Sequence, residues 1–395
     1  MGNRAMKIED ICKVSSSKRI FAREYVETGV PFWRGKEVTE HATGKNDSKG
    51  LFISVRRYNE LKQTGNVPSD DDVLITAVGT IGSIYQIKHE DLPFYFKDGN
   101  IIRLSNWNTE RVNPTYVSLF LRSQIGQQAI KEVEIGSTQK ALTIKDIAKV
   151  PILLPELKTQ NDIAAAIGFI DAKIKINQQI NKNLLELSSN VVLEASLKAE
   201  RITDLQTLLD NSRNANVSID EFSLDAYVSN TSLRPNKNGL DSTKGYPSVK
   251  SVRVVNPGDV LVGNIRPYFK KIWFADRKGG ASNDVITFRA NNEVVTPEFL
   301  FGILYSDRFF DYVTATSKGT KMPRGDKQAI ALYQVGLPDK DVVISVTGVV
   351  KPILEQVSLN EQQNQQLAKL CDLILSKFLA GEIDLSNLGE VMKNA

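Results

Sequence analysis

The side chains in this sequence that could bind a ligand or react are basic and polar residues in segments that are typical of loops. Loop arginine and lysine bind phosphate groups, arginine pairs with guanine through two hydrogen bonds, and asparagine does so with adenine. Candidates for nucleic-acid contact in the first half of the chain are Arg34, Lys36, Arg56, Arg57, Thr80, Thr138 and Lys140. Candidates in the second half are Arg253, Asn264, Arg266, Lys270, Lys271, Lys318, Thr320, Lys321 and Arg324. Each cluster alone is equally typical of a charged surface that keeps a protein soluble.

A catalytic or metal centre has little support. His41 and His89 are the two histidines of the chain, and the cysteine–histidine spacing of zinc sites is missing. Residues 319–327 contain glycine and lysine, but they lack the spacing and the final hydroxyl residue of a phosphate-binding loop. Asn264–Tyr268 is weakly similar to the Asn-Pro-Pro-Tyr segment of amino-methyltransferases, and two residues interrupt it. Asp70–Asp72 favours a solvated turn over a metal cluster. We therefore expect no catalytic residue and no metal ligand.

The elements that must position the basic loops occur twice. Asp72-Val-Leu-Ile75 predicts a buried strand because of its β-branched residues, and Asp259-Val-Leu-Val262 repeats it. A polar loop begins at Gly136, and another begins at Gly319. From residue 112 to 191 the second copy follows the first at a constant offset of 183 positions. The pattern indicates a tandem duplication in which a mixed α/β domain precedes a long helix.

The two long helices carry the same interrupted seam. Apolar residues alternate in steps of four and three, which is the pattern of a coiled coil. In the first helix they are Ile163, Ile167, Ile170, Ile174, Leu184, Leu187 and Val191, and in the second Val346, Val350, Ile353, Val357, Leu367, Leu370 and Ile374. Asparagines occupy the remaining seam positions, at Asn177, Asn181, Asn360 and Asn364. Because an asparagine in a seam fixes register at a cost in stability, we expect the helices to pair with each other. Two unrelated amphipathic helices are the alternative, and which asparagine meets which stays open.

The predicted architecture is mixed α/β: two α/β domains, related by an approximate twofold axis, are separated by two long antiparallel coiled-coil helices. The predicted boundaries are 1–155 for the first domain, 156–200 for the central helix, 201–338 for the second domain, 339–383 for the C-terminal helix and 384–395 for a tail. A helix of about 40 residues is about 60 Å long. Two similar domains at such a separation suit a linear target in two parts, and duplex DNA is one.

Composition agrees with a globular protein of at least two domains. The chain has 395 residues, of which 41% are hydrophobic and 24% charged, and its net charge is +4. This charge permits an anionic partner without requiring one. Cys12 and Cys371 give no disulfide framework. We expect no bilayer-spanning run and no signal peptide, and therefore a cytoplasmic protein.

Specific motifs make the sequence resemble the specificity subunits of type I restriction-modification systems over essentially its whole length. The motifs are Gly29-Val-Pro-Phe-Trp-Arg-Gly35, Asp72-Val-Leu-Ile75 with Gly79-Thr-Ile-Gly82, Gly136-Ser-Thr-Gln-Lys140, Val150-Pro-Ile-Leu-Leu-Pro155 leading into the first helix, and Phe378-Leu-Ala-Gly-Glu-Ile-Asp384. The second copy departs from the pattern. Its loop reads Gly319-Thr-Lys-Met-Pro323, and Asp339-Lys-Asp-Val342 replaces the usual helix entry.

The resemblance implies a DNA-binding subunit without an active site of its own. Each target recognition domain would read one half of a split DNA site, and the helices would set the spacing of the halves. The helices would also dock two methyltransferase (M) subunits, and restriction (R) subunits would join through these. S-adenosylmethionine, ATP and Mg would then belong to the partners. The alternatives are a coiled-coil scaffold that binds proteins without DNA specificity, and a fused enzyme.

Overall fold

The chain folds into two compact units. The computed structural model describes residues 4–44, 50–136, 140–210, 215–241, 245 and 248–379. The first unit consists of the residues up to Lys173 and those from Gln366 onward, and the second of Ile174–Gln365. The division differs from the predicted domains, because each unit includes part of both long helices.

Two four-stranded sheets form the globular part of the first unit. Its strands are β1 (Arg4–Lys7), β2 (Lys13–Ser15), β3 (Tyr25–Val26), β4 (Val30–Trp33), β5 (Leu51–Ile53), β6 (Val73–Thr76), β7 (Ile84–Gln86), β8 (Tyr95–Phe96), β9 (Ile101–Ser105) and β10 (Pro151–Leu154). Its helices are α1 (Gly35–Ala42), α2 (Val55–Gln63), α3 (Pro114–Arg122), α4 (Gln124–Glu132), α5 (Ile144–Ala148) and the beginning of α6 (Leu157–Leu197). The sheet orders are β2-β9-β6-β7 and β3-β5-β4-β8, and β1 pairs with β10.

The predicted strand at Asp72 is the core of this unit. Val73, Leu74 and Ile75 of β6 are fully buried, as the β-branched run predicts for a central strand. The strand pairs antiparallel with β7 and with β9. Val73 and Ile75 belong to the apolar cluster that also contains Ile163 and Ile167 of α6, and Leu74 packs on the other side in a cluster with Trp33 and Phe96. The first turns of the long helix are therefore part of the domain core.

The second unit repeats this arrangement with different loops. Its strands are β11 (Arg201–Asp204), β12 (Asn216–Ser218), β13 (Tyr227–Val228), β14 (Ser251–Val255), β15 (Val260–Gly263), β16 (Ile272–Phe274), β17 (Gly279–Ala281), β18 (Val285–Phe288) and β19 (Gln334–Leu337). Its helices are α7 (Pro297–Leu304), α8 (Asp307–Ala315), α9 (Lys327–Ala331) and most of α10 (Lys340–Leu379). The sheet order is β16-β15-β18, so β15 lies between its partners as β6 lies between β7 and β9.

Local signals repeat with the strands. Asn113 caps α3, and Thr296 caps α7, each with proline as the first helical residue. The aspartate that precedes each central strand is buried, at 3% exposure for Asp72 and 1% for Asp259. Asp72 Oδ2 lies 3.5 Å from Arg103 Nε. Asp259 accepts two hydrogen bonds from Arg289, of 2.8 and 2.7 Å. These aspartates are structural ion-pair partners, which explains the Asp-Val-Leu motif without a metal.

The two long helices pair antiparallel within the second unit. Asn177 Nδ2 donates to Asn364 Oδ1 at 2.9 Å and to Gln363 Oε1 at 2.8 Å. Four residues further along α6, Asn360 Nδ2 donates to Asn181 Oδ1 at 2.7 Å. The residue numbers therefore increase along α6 while those of the contacted residues decrease along α10, so the two helices are antiparallel. The predicted mixed α/β fold with two long paired helices is confirmed in these elements.

The predicted seam is wrong at Leu187 and Leu370, which are 50% and 39% exposed. On α6 the buried positions near this point are Ser188 and Ser189. Ser189 Oγ donates to the carbonyl oxygen of Gly302 on α7 at 2.8 Å. Because Gly302 lacks a side chain, α7 approaches α6 closely. The face of α6 that contacts α7 therefore carries Ser188 and Ser189, and Leu187 lies outside this contact.

Helix α10 is more apolar than we expected. Lys340–Ile374, with a mean hydropathy of 1.5, is long and apolar enough to cross a membrane by length and composition alone. Val343, Val350 and Leu354 pack in the apolar core of the second unit. That packing uses one face of the helix, and Ile344 on another face is 57% exposed.

Candidate nucleic-acid interface

In the first unit, three predicted segments meet at the end of β6. The turn Gly79-Thr-Ile-Gly82 has φ angles of +82° and +79° at its two glycines, a conformation that glycine adopts without steric cost. Ala141, at the end of the loop that begins at Gly136, bridges to Val78 next to the turn. A side chain added at Gly35, the first residue of α1, would lie 3.8 Å from the carbonyl oxygen of Val78. The fold therefore gathers the glycine turn, Ala141 and the start of α1.

The second unit brings the equivalent segments together by the same backbone pairing. Ala141 bridges to Val78 and Ile135, and Arg324 bridges to Ile265 and Lys318. The loops begin with glycines of nearly identical φ, +97° at Gly136 and +98° at Gly319. The different sequence of the second loop thus leaves its docking on the central strand unchanged.

In the first unit, each predicted basic residue that the structure describes has a carboxylate nearby. Arg34 Nη2 lies 2.5 Å from Glu37 Oε1, and Lys36 Nζ lies 3.4 Å from Glu40 Oε1. The remaining pairs are Arg56–Glu60 at 3.2 Å, Arg57–Glu24 at 3.0 Å and Lys140–Glu134 at 2.8 Å. Burial alone would raise the pKa of Glu37, but hydrogen bonds from Arg34 lower it. Arg34 therefore stabilises the start of α1 as well as being a candidate contact.

In the second unit the predicted residues divide into supporting and exposed groups. Lys270 Nζ lies 2.8 Å from Asp307 Oδ1 and 3.7 Å from Asp311 Oδ1. Hydrogen bonds from Lys237 and Lys270 lower the pKa of Asp307 to about 2, so this carboxylate is charged at neutral pH and forms ion pairs with both lysines. Lys271 Nζ donates to the carbonyl oxygen of Asn230. Lys270 and Lys271 therefore attach the turn after β15 to the rest of the second unit.

Asn264 also lies beneath the surface. It is 7% exposed, and a side chain at Gly325 would come within 2.8 Å of its Oδ1. Its backbone carbonyl accepts a hydrogen bond from Gly325 N at 3.2 Å. Asn264 therefore has a structural role beneath the two loops that Ile265 and Arg324 join. As an asparagine, it had been predicted to contact adenine.

The exposed group lies on the loop from 318 to 324. Thr320 and Lys321 are exposed, and the side chains of Lys318 and Arg324 are 75% and 53% exposed. Lys318 lies 2.5 Å from Asp326, and Arg324 lies 3.2 Å from Asp284. Such exposed pairs exchange partners at little cost. These four side chains are accessible to a phosphate backbone.

The other predicted residues lie in different surroundings. Thr80 is exposed at the glycine turn, and Thr138 lies outside the described residues. Arg253 is half-buried in the centre of the β12-β14-β17-β13 sheet. Arg266 is half-buried at the start of the turn after β15. Within the described parts of the chain, no group of three His, Cys, Asp or Glu could hold a metal ion.

Two exposed apolar residues of this surface were missed as candidates. Tyr268 is 47% exposed and Met322 is 49% exposed, and they lie on the two loops that Ile265 and Arg324 join. The signal for both was present: each is a large apolar side chain within a short basic loop. Trp33 of the aromatic motif is instead buried and stacks on Phe94, with ring centroids 3.7 Å apart.

Comparison with known proteins gives consistent results. The family model for the type I restriction modification DNA specificity domain matches residues 2–186. The HindI specificity subunit, a type I restriction enzyme component of Haemophilus influenzae, is 24% identical over 144 residues, which cover 35% of this chain and 31% of the relative. A putative type I specificity subunit of the same organism, S.HindORF215P, is 30% identical over 166 residues, covering 42% of this chain and 39% of the relative. Each match thus spans less than half of the relative.

The fold has a known counterpart. The crystal structure of the S subunit of a type I restriction-modification system from M. genitalium aligns with a TM-score of 0.54 and 11% sequence identity, covering 95% of each chain. At this identity the likeness concerns the fold. The family model and both relatives point to the same family, and the part of this chain that matches the type I restriction modification DNA specificity domain is residues 2–186, somewhat less than half of its length.

Proposed function

We propose that this chain is the DNA-recognition subunit of a type I restriction-modification complex. Each unit's recognition domain reads one half of a bipartite site in double-stranded DNA. The two long helices set the distance between the halves. This function rests on the match of residues 2–186 to the family model together with the duplication of the fold.

The observation that carries the proposal is the repeated loop pairing. Val78, Ile135 and Ala141 in the first unit, and Ile265, Lys318 and Arg324 in the second, join a turn and a loop at the same end of the central strand. The repeated element holds different side chains in the two units. The same backbone pairing with different exposed side chains is what two readers of different half-sites need.

The proposed subunit has no catalytic role. The two relatives are named as specificity subunits, and the buried aspartates of this chain, Asp72 and Asp259, are ion-pair partners of arginines. Methyl transfer and cleavage would therefore depend on partner subunits, which would bring S-adenosylmethionine, ATP and Mg. No cofactor is assigned to this chain.

The exposed helix faces fit the docking of such partners. Ile176, Ile180 and Leu187 on α6 are 55%, 42% and 50% exposed in the second unit. They recur at helical spacing and form an apolar stripe on one side of the helix. In the first unit Phe169 on the same helix is 62% exposed. We propose these residues as the contact surface for two methyltransferase (M) subunits, through which restriction (R) subunits join. A cytoplasmic complex on DNA, away from membranes, is part of the same proposal.

Selection from a random duplex library tests the DNA-binding function. The purified full chain, alone and with a co-expressed methyltransferase partner, should enrich two short conserved blocks separated by a fixed gap. Affinity should fall steeply between 50 and 200 mM salt, roughly tenfold or more, because phosphate contacts release counterions. Enrichment of no motif, or of one continuous motif, would contradict the proposal.

A coiled-coil scaffold that binds proteins remains the second candidate, and the same apolar stripe on α6 favours it. It predicts binding to a partner protein with no sequence preference for DNA. The library selection separates the two functions, because a scaffold would enrich no bipartite motif at any salt concentration.

A further inference from the structure

The turn after β15 is held in a conformation that its residues disfavour. Arg266 and Lys270 have φ angles of +52° and +48°, in the left-handed region that costs energy for any residue with a Cβ. The equivalent turn of the first unit uses Gly79 and Gly82, which adopt such angles freely. Non-glycine residues in this region concentrate at functional sites, where the surrounding structure maintains them.

Hydrogen bonds brace the turn from two sides. Arg266 N donates to the carbonyl oxygen of Pro323 at 2.7 Å, which ties the turn to the basic loop. On the other side Asn236 N donates to Phe269 O at 2.8 Å, and Lys237 N donates to Lys270 O at 2.8 Å. The side chain of Lys270 is fixed in addition by Asp307. The turn is therefore a rigid element of the surface, although it is short.

The braced turn presents an aromatic side chain. Pro267 is buried, so the turn is anchored at its base, and Tyr268 is half-exposed at 47%. The ring lies against Phe269, with centroids 4.8 Å apart and an interplanar angle of 56°. Lys318 and Arg324, both exposed, lie on the loop to which Arg266 is bonded. An apolar surface next to cations suits a base edge flanked by phosphates.

We propose that Tyr268 is a specificity-determining residue that contacts the 5-methyl group of a thymine in the major groove of the half-site read by the second unit. The inference rests on the proposed function. Apolar side chains recognise thymine by this methyl group, which the other DNA bases lack. Insertion between base pairs is the less suitable mode, because the ring is half-covered and is held against Phe269 in a braced turn.

Replacing thymine by deoxyuridine tests the contact, since only the 5-methyl group is removed. The bound site is first defined by library selection with the full chain, and each thymine of both half-sites is then replaced in turn. One thymine of the second half-site should show a loss of affinity of about fourfold, which corresponds to the burial of one methyl group. Tyr268→Ala should bind thymine and deoxyuridine duplexes equally at that position. Tyr268→Phe, which keeps the ring, should still bind the thymine duplex more tightly than the deoxyuridine duplex.

Two controls separate the possible failures. Met322→Ala changes the exposed apolar residue of the adjoining loop and should leave the affinity difference between thymine and deoxyuridine at that position unchanged. All variants should have melting temperatures within about 3 °C of the unchanged chain, since no core contact is lost. If Tyr268→Ala keeps the full sensitivity, or if no thymine of the second half-site is sensitive, the role of Tyr268 is refuted while bipartite recognition stands. If the unchanged chain selects no bipartite site, the proposed function itself fails, and this inference fails with it.

Discussion

Asn360 Nδ2 donates a hydrogen bond of 2.7 Å to Asn181 Oδ1 across the paired helices. Asn181 Nδ2 in turn donates to the carbonyl oxygen of Val357 at 3.3 Å, and Asn360 accepts from Gln356 at 2.9 Å. Both asparagines are nearly buried, at 7% and 9% exposure. Because a slip of the helices would leave these amides without partners, the pair fixes one antiparallel register.

Changing either asparagine should reveal this coupling. Asn181→Leu leaves the Asn360 amide short of an acceptor, and Asn360→Leu leaves the Asn181 carbonyl short of a donor, each at a cost of about 1–3 kcal/mol in the free energy of unfolding. The double variant should recover most of the loss, since two leucines suit an apolar seam. Urea unfolding of all four proteins measures the coupling. Single effects that simply add, within about 0.5 kcal/mol, would show that the pair does not act as a unit.

Relief of the strained turn should stabilise the second unit. Arg266→Gly removes one unfavourable left-handed residue and is expected to raise the free energy of unfolding by about 1 kcal/mol. The same change should weaken DNA binding, because a cation of the proposed surface is lost. Lys321→Gly removes the same charge where φ is not positive, and should give no gain in stability. A destabilised Arg266→Gly variant would mean that the arginine side chain contributes more to folding than the strain costs.

Glu361 should make the stability of the second unit dependent on pH. It lines a cavity of about 580 Å³ with Trp273 and Tyr305, and burial raises its pKa from 4.5 to about 7, with Asp276 adding to the rise. The folded chain then binds a proton between pH 4.5 and 7 that the unfolded chain has released. The contribution of this protonation of Glu361 to the free energy of unfolding is therefore complete below about pH 4.5 and is lost as the pH rises through about 7.

Substitution isolates this effect. Glu361→Gln should be more stable than the unchanged chain by roughly 1–2 kcal/mol at pH 8.5, a value reduced from the full pKa shift because the carboxyl is partly exposed, and should show little difference at pH 4.5. Chemical unfolding at both pH values measures it. Glu355→Gln, an exposed residue of the same helix that lines the same cavity, is the matched control. Equal effects of the two substitutions at both pH values would contradict the assignment.

Phosphate contact by the basic loop is tested by salt dependence. Lys321→Gln should lower the slope of log affinity against log salt by about 1, and should weaken binding to all sequences alike. Lys182→Gln alters an exposed lysine on α6, which lies 4.0 Å from Glu186, and should leave the slope unchanged. An unchanged slope in Lys321→Gln would remove this lysine from the DNA surface.

Much of the fold was predictable because it follows local rules. The strand at Val73–Thr76 and its repeat at Val260–Gly263 have β-branched residues and follow the same aspartate, and both are buried as predicted. The resemblance inferred from motifs such as Gly29–Gly35 is confirmed by the match of residues 2–186 to the family model. The long helices are found, and the asparagine pairs that the sequence left open are now assigned.

The candidate surface was less predictable, because it depends on contacts between distant residues. Lys270 was chosen for its charge, yet Asp307, which lies 37 positions away, pairs with it. Asn264 was chosen for its amide, yet the paired loops bury it. Tyr268 lies in a recognisable basic loop, but no composition rule would suggest the left-handed backbone at Arg266 and Lys270 on either side of it. The division into compact units likewise depends on packing along both helices.

The central claim is that the paired helices separate two readers of one DNA site, and lengthening both helices tests it most directly. Because Asn177 meets Asn364 and Asn181 meets Asn360, one heptad is inserted after Leu187 and another before Leu354, which keeps the antiparallel register. Seven residues add about 10 Å, or about three base pairs. Methylated sites are then mapped in cells that carry the methyltransferase with either chain. We predict unchanged half-sites with a gap longer by about three base pairs; an unchanged gap, or altered half-sites, would contradict the account.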